Sequence, residues 1–136
     1  MPIKTTNDRS NEFTEHVVTD TVTDEEMFKC QDEFLKNNPT KLELWDMSNA
    51  DLDRITTEGV RQFISRAAHL GKTRQGGRTA VIVQSKLQYG LGRMAQAFGE
   101  FTSLPFSLRL FRIRVDAIAW LKTGSEYQPE INSDNL

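Results

Sequence analysis

Apolar positions along this chain follow two spacings in turn, one typical of strands and one typical of helices. Short apolar runs bounded by turn-forming residues predict strands at Leu42–Asp46, Thr79–Val83 and Phe106–Phe111. Apolar residues that recur every three or four positions predict four helices. One begins directly after Thr23, one begins after a cap at Thr56 or Thr57, and two lie over about residues 87–101 and 114–122. Because helical and strand patterns alternate, we expect a sheet covered by helices.

The first 22 residues predict an extended hairpin. Ile3–Thr5 forms one arm, residues 7–11 are rich in the turn formers Asn, Asp and Ser, and Phe13–Thr21 forms the second arm. Thr23 and Glu26 then match a capping box, in which each side chain binds the other residue's backbone amide. We therefore expect the first helix to begin directly after Thr23.

Ala80–Val83 is the clearest buried strand, because four consecutive apolar side chains point to both faces of a sheet. We expect Val81 and Ile82 to be almost completely buried. The complete element order is β-β-α-β-α-β-α-β-α. This order predicts a single α/β domain whose strands are mainly parallel and joined by right-handed crossovers.

Composition narrows the class of protein. The chain has 136 residues, enough for one domain with a real core, and its single cysteine, Cys30, excludes an intrachain disulfide. The first residues have no apolar stretch typical of a signal peptide, and no apolar run has the length needed to cross a bilayer. We expect a cytoplasmic protein without membrane insertion.

Charge is divided unevenly along the chain. Residues 1–60 hold 14 acidic and 6 basic side chains, whereas residues 61–123 hold 11 basic and 2 acidic ones. Such a division is sometimes typical of a nucleic-acid surface, but the overall pI of about 5.7 opposes phosphate binding. We expect no nucleic acid, and we expect the two halves to face each other within the fold or across a homodimer.

Motifs that resemble ligand sites lack the context that such sites require. Gly71–Thr73 follows a helix, the reverse of a phosphate-binding loop, and the glycine pattern of Gly90–Ala95 favours close helix packing over a dinucleotide site. His16 and His69 are too scattered for a metal site. Cys30 lies on an apolar helix stripe, without an obvious base. We therefore predict no cofactor, no metal and no enzymatic activity.

Basic residues concentrate around the connection between the second helix and the central strand. A solvated connection is the first interpretation, and binding of an acidic partner or a lipid headgroup is the alternative. With two residues of the third helix, they form a candidate ligand or partner surface: Arg66, Lys72, Arg74, Arg78, Tyr89 and Arg93.

Five segments in sequence order carry a resemblance to a known family. They are Trp45–Leu52, Gly77–Val83, Tyr89–Met94, Phe111–Arg112 and Asp116–Leu121. In this order they are similar to the small bacterial SpoIIAA-like proteins, which are grouped with STAS and CRAL-TRIO domains.

The resemblance covers residues 1–122 and leaves residues 123–136 as a polar tail. It implies a STAS-like β/α superhelix with a mainly parallel five-stranded sheet, an N-terminal hairpin and about four helices. STAS domains of anti-sigma antagonists bind a protein partner, and CRAL-TRIO domains bind lipids in an apolar cavity. Shared fold does not by itself transfer either function.

The resemblance also implies a candidate switch. Anti-sigma antagonists are phosphorylated on a Ser or Thr at the start of a helix, and the nearest match here is Ile55–Gly59. Thr56 and Thr57 are therefore candidates for a phosphorylated switch or for simple helix caps, with Ser48 on the preceding loop as a weaker candidate. The aspartate that precedes the phosphorylated residue in the family pattern Asp-Ser-Ser-Gly is missing in this sequence.

Three functions remain open at this point. The first is a non-enzymatic STAS-like interaction or regulatory module that binds a protein partner of unknown identity, with a homodimer as one form. The second is a carrier of a small apolar or lipid-like ligand between sheet and helices. An uncharacterised enzyme is third.

Overall fold

The structure, a computed structural model that describes residues 2–124, contains five strands and four α-helices in that range. The strands are β1 (Ile3–Asp8), β2 (Phe13–Thr21), β3 (Leu42–Asp51), β4 (Arg78–Ile82) and β5 (Ser107–Phe111). The helices are α1 (Asp24–Lys36), α2 (Thr57–Leu70), α3 (Lys86–Thr102) and α4 (Arg114–Thr123). The predicted polar tail lies outside the described residues from position 125 onwards.

The strands form one sheet in the order in which they occur along the chain. β1 and β2 are antiparallel, and each later pair is parallel. The predicted α/β fold, with a mainly parallel five-stranded sheet and an N-terminal hairpin, is confirmed.

Side-chain caps fix the starts of the first two helices. The Glu26 amide donates to Thr23 Oγ1 over 3.3 Å, and the Thr23 amide donates to the Glu26 carboxylate over 2.9 Å, which completes the predicted capping box. At the start of α2, the Gly59 amide donates to Thr56 Oγ1 over 2.9 Å. Thr56 is therefore the cap, and Thr57 is the first helical residue.

Helices cover both faces of the sheet. α1, α2 and α3 share a face, because Cys30 of α1, Phe63 of α2 and Leu91 of α3 pack into the same core. α4 covers the other face, where it packs into a core of Leu44, Ala80, Ile82, Phe111, Ala117, Trp120 and Leu121. A second core lies on the α1–α3 face and contains Val18, Val22, Cys30, Trp45, Met47 and Leu52.

β3 is longer than the sequence predicted. The predicted end of this strand at Asp46 is wrong, because Met47–Asp51 continue the strand, and Asn49–Asp51 pair with Thr19–Thr21 of β2. Asn, Ser and Asp favour turns in isolation, but pairing with a neighbouring strand overrides such local preferences.

The central strand is buried unequally on its two faces. Ile82 is 3% exposed and faces the α4 core, as predicted. Val81 points to the α1–α3 face and is only partly buried, so the prediction of almost complete burial is wrong for this residue. The difference arises because the space opposite Val81 is not filled by protein atoms.

Substitutions at these two neighbours should therefore differ in cost. Ile82→Ala should lower the free energy of unfolding by about 2–5 kcal/mol, because it opens a void in a filled core. Val81→Ala should cost about 1 kcal/mol, because this side chain already borders empty space. Denaturant titration measures both, and equal losses would show that the two faces are packed alike.

Candidate functional site

A cavity of about 130 Å³ lies beneath α2, with the sheet as its floor and α1 and α3 as its walls. The floor includes Trp45, Val81 and Leu108, and the helices contribute apolar side chains such as Phe63 and Leu91. Phe63, Val81, Leu91 and Leu108 are only partly buried. In the centre of a sheet, partly buried apolar side chains of this kind mark a space that could hold an apolar molecule.

The polar side chains that border the cavity are already hydrogen-bonded to protein groups. Gln31, for example, donates to the Phe63 carbonyl over 2.7 Å, and Gln88 donates to the Ala50 carbonyl over 3.0 Å. The full set, each with such a bond, is Asp24, Gln31, Glu43, Arg74, Thr79 and Gln88. The cavity therefore presents mainly apolar surface to an occupant.

Glu43 is the centre of a buried charge network at the amino-terminal end of β3. Its Oε1 accepts from Arg74 over 3.3 Å and from Thr79 Oγ1 over 2.9 Å, and its Oε2 accepts from His16 Nε2 over 2.9 Å. Burial alone raises the pKa of this carboxyl. The Arg74 charge, with His16 and Thr79, outweighs burial and holds the Glu43 pKa below its ordinary value.

Arg74 is the cation of this network, and it is 1% exposed. Its Nε donates to the Thr40 carbonyl over 2.9 Å, and a terminal nitrogen donates to the Lys41 and Arg78 carbonyls over 3.0 and 3.1 Å. The guanidinium also lies 4.3 Å from the Phe106 ring centre. The expectation of a solvated side chain is wrong for Arg74, because backbone carbonyls and Glu43 replace water around it.

His16 lies on β2 with its ring 4.1 Å from that of Trp45. Nδ1 is 2.8 Å from Thr5 Oγ1 and 3.5 Å from Cys30 Sγ. Burial disfavours the charged imidazolium, but hydrogen bonds to Cys30 and Glu43 and the negative charge of Glu43 raise the pKa of His16 to about 9.

The remaining residues of the predicted basic surface have separate roles. Arg66 pairs with Asp32 and Gln31 on α1, and Arg78 donates to the Leu121 carbonyl at the end of α4 over 3.0 Å. Lys72 and Arg93 are exposed, and Tyr89 is partly buried on α3. The six candidates are thus divided among α2, its connection to β4, the start of β4, and α3.

Ion pairs join the acidic and basic halves of the chain within the fold. In each of three pairs, a basic residue from positions 61–123 contacts an acidic residue from positions 1–60: Arg66 with Asp32, Arg74 with Glu43, and Arg114 with Glu15. Acidic and basic residues of the two halves therefore pair within one chain, which is one of the two arrangements that the charge division predicts.

Two of the three candidate switch residues, Thr56 and Ser48, use their hydroxyl groups in hydrogen bonds within the fold. Thr56 Oγ1 donates to the Asp24 carboxylate over 2.6 Å while it accepts from the Gly59 amide, so it joins the start of α2 to α1. A Cβ on Gly59 would lie 2.3 Å from the Asp24 carboxyl carbon, so this contact requires glycine. Ser48 Oγ donates to Asp46 over 2.6 Å, and Thr57 is exposed.

The glycine pattern Gly90–Ala95 lies inside α3, which begins at Lys86, so its backbone amides are used within the helix. A Cβ on Gly92 would lie 2.8 Å from Leu110 of β5, which supports the close-packing interpretation, whereas Gly90 faces open space. Among residues 2–124, no cluster of three or more metal-ligating side chains occurs. Within the same range, no helix has the length and apolarity needed to cross a membrane.

Sequence reasoning missed His16 and Glu43. Both stand inside strands with apolar neighbours, His16 beside Val17 and Glu43 between Leu42 and Leu44. A charged residue at such a position is rarely buried unless it is paired, so this placement was the available signal. The partners of His16 and Glu43 lie in distant segments of the chain, so spacing along the sequence could not identify them.

The topology and helix arrangement define a protein with the SpoIIAA-like fold, as the resemblance implied. The structure is similar to the crystal structure of an uncharacterised protein of the DUF3478 family with a SpoIIAA-like fold, from Shewanella loihica PV-4. The TM-score is 0.55 at 20% sequence identity, over 88% of this chain and 91% of that one. No protein-family model and no curated protein matches the sequence. The similarity shows the fold alone.

The His16 interaction should make stability depend on alkaline pH. The folded-state pKa of about 9 exceeds the ordinary 6.5, so the folded protein keeps a proton that the unfolded chain releases. The contribution is fully present below about pH 6.5 and is lost as pH rises through about 9, a change of about 3 kcal/mol. Urea titrations from pH 6 to 10 measure it. In His16→Gln this decline should disappear, and a decline of the same size in the variant would assign it to another group.

Aspartate at Thr56 and at Thr57 should have different effects. In Thr56→Asp, a second carboxylate replaces the donor to Asp24, and stability should fall by roughly 1–2 kcal/mol. In the matched Thr57→Asp variant, an acid at an exposed first-turn position should change stability by less than about 0.5 kcal/mol. Thermal and urea unfolding compare them. Equal stability of the two variants would contradict the importance of the Asp24 contact.

Proposed function

We propose that this protein is a non-enzymatic binding module that holds a small, uncharged apolar molecule in the cavity beneath α2. The observation that carries the proposal is the unfilled apolar space opposite Val81, in the middle of the sheet, where a domain of this size normally has a filled core. The opposite face of the same strand is closely packed, with Ala80 at 0% and Ile82 at 3% exposed.

The size of the cavity limits the ligand. An engineered protein cavity of about 150 Å³ binds benzene, so a space of about 130 Å³ suits a compact aromatic or a short aliphatic molecule. A long lipid chain would require α2 to move away from the sheet. This points to a smaller ligand than those of lipid-transfer domains.

The chemistry of the lining limits the ligand further. Because the bordering polar groups are bonded to protein partners, a ligand hydrogen-bonding group inside the cavity would lack a partner and would cost free energy. A charged ligand would also have to displace the Arg74–Glu43 pair. An uncharged molecule with few polar atoms therefore fits best.

An interaction module for a protein partner, such as a second copy of this chain, is the second proposal. Its support is the exposure of large apolar side chains on the surface, with Phe101 at the end of α3 88% exposed and Val115 on α4 74% exposed. A partner that covers either side chain would remove its apolar surface from water.

Binding can be tested by filling the cavity. Ala95 on α3 borders the cavity, and Ala97 on the same helix is exposed and outside it. Native mass spectrometry of freshly purified protein should reveal a carried molecule, and NMR titration with benzene, indole and short alkanols should give saturable shifts around Trp45. Ala95→Phe should weaken this binding at least about tenfold, because the new ring occupies the space, and Ala97→Phe should not.

The stability of the Ala95→Phe variant is the control for this binding experiment. In an empty cavity, the Ala95→Phe ring should be accommodated with a loss below about 1 kcal/mol, whereas overpacking a filled core costs about 1–3 kcal/mol. Absence of saturable binding in the wild type, together with strong destabilisation by Ala95→Phe, would reject the cavity as a binding site.

A further inference from the structure

Three side chains from separate elements meet beside the buried charge network. Cys30 of α1 places Sγ 3.5 Å from His16 Nδ1 of β2, and Thr5 Oγ1 of β1 lies 2.8 Å from the same nitrogen and 3.7 Å from the sulfur. The cluster thus combines a nucleophile, an imidazole and a hydroxyl within hydrogen-bond distance of one another.

Glu43 orients this imidazole. It accepts from Nε2 over 2.9 Å and is itself held by Arg74 and Thr79, so the ring has one orientation and Nδ1 faces Cys30. The arrangement of thiol, imidazole and carboxylate in series is the geometry that activates cysteine nucleophiles. His16 Nδ1, at 3.5 Å from Sγ, is also placed to donate a proton to an oxygen atom that departs during reaction at the sulfur.

Access to the sulfur is narrow. Cys30 is 9% exposed, whereas Thr5, on the edge strand β1, is exposed and its hydroxyl lies 3.7 Å from Sγ. A reagent can approach past Thr5 only if it is small. The cluster is separate from the cavity, whose lining includes neither Cys30 nor His16.

We propose that Cys30 is a modification site for small hydroperoxides, activated by His16 and reached from the β1 edge past Thr5. The Cys30 thiolate attacks the terminal oxygen of the peroxide, an S–O bond forms and the O–O bond breaks. The sulfur loses two electrons and becomes a sulfenic acid. The departing oxygen gains these two electrons and takes the Nδ1 proton of His16, so that it leaves as water or an alcohol. His16 then regains a proton from solvent.

Any modified thiol can be assigned to Cys30, because Cys30 is the single cysteine of the chain. The full chain is treated with hydrogen peroxide at pH 6, where an ordinary thiol is almost fully protonated. The sulfenic acid is trapped with dimedone and the adduct is measured by intact mass, with Cys30→Ser as the blank. Folded wild-type protein should react at least about tenfold faster than the same chain unfolded in urea.

Two variants and one control variant assign the roles of His16 and Thr5. His16→Gln should reduce the rate at least about tenfold, and the same change at His69, which is exposed on α2, should leave it unchanged. Thr5→Ala, at an exposed position that tolerates substitution, should raise the rate about threefold or more by uncovering the sulfur.

Three results would overturn the proposal. One is a folded wild-type protein that reacts no faster than the unfolded chain, which decides the matter even if His16→Gln does not fold. Another is a folded His16→Gln protein, judged by circular dichroism, that reacts as fast as wild type. The third is an unchanged rate in Thr5→Ala, which would reject the route past β1.

Discussion

The buried carboxylate of Glu43 joins three separate parts of the chain. It binds His16 of β2, Thr79 of β4 and Arg74 from the connection between α2 and β4. Charges removed from water are costly unless their partners are in place, so these contacts have to form together. Glu43 and Thr79 are also directly paired in the sheet. A slip of one residue would turn Glu43 into the apolar core beneath α4, which fixes the strand register.

The two faces of the sheet are specialised as a result. On one face α4 lies close to the strands, and the core around Trp120 is filled. On the other face the polar network occupies the amino-terminal end of the sheet, and α2 is attached to α1 through Asp24–Thr56 and Asp32–Arg66. These attachments hold the helix over the sheet without filling the space beneath it. The cavity lies beneath this anchored helix.

α1 takes part both in the proposed binding cavity and in the proposed modification site at Cys30. α1 carries Cys30 on its inner side, together with Met27 and Phe34, which border the cavity. The helix therefore contributes to both sites, and His16 stacks on Trp45, a residue of the cavity floor. Closely packed side chains transmit small displacements to their neighbours, so the two sites share structural elements although their linings are distinct.

The sequence by itself determined the element order, the helix caps and the mainly parallel sheet. These follow from local rules: the Thr23–Glu26 box, the Ala80–Val83 run and the alternation of strand and helix patterns. It also predicted that the acidic and basic halves are complementary. Local rules failed where residues distant in sequence meet, because spacing carries no information on three-dimensional proximity.

Only the tertiary structure decided that Arg74 is buried, that Met47–Asp51 extend β3, and that His16 lies between Cys30 and Glu43. Each outcome depends on a partner far along the chain. The cavity had the same origin, because a continuous apolar pattern predicts which side chains point inwards but not whether the opposing helix approaches closely enough to fill the space between them.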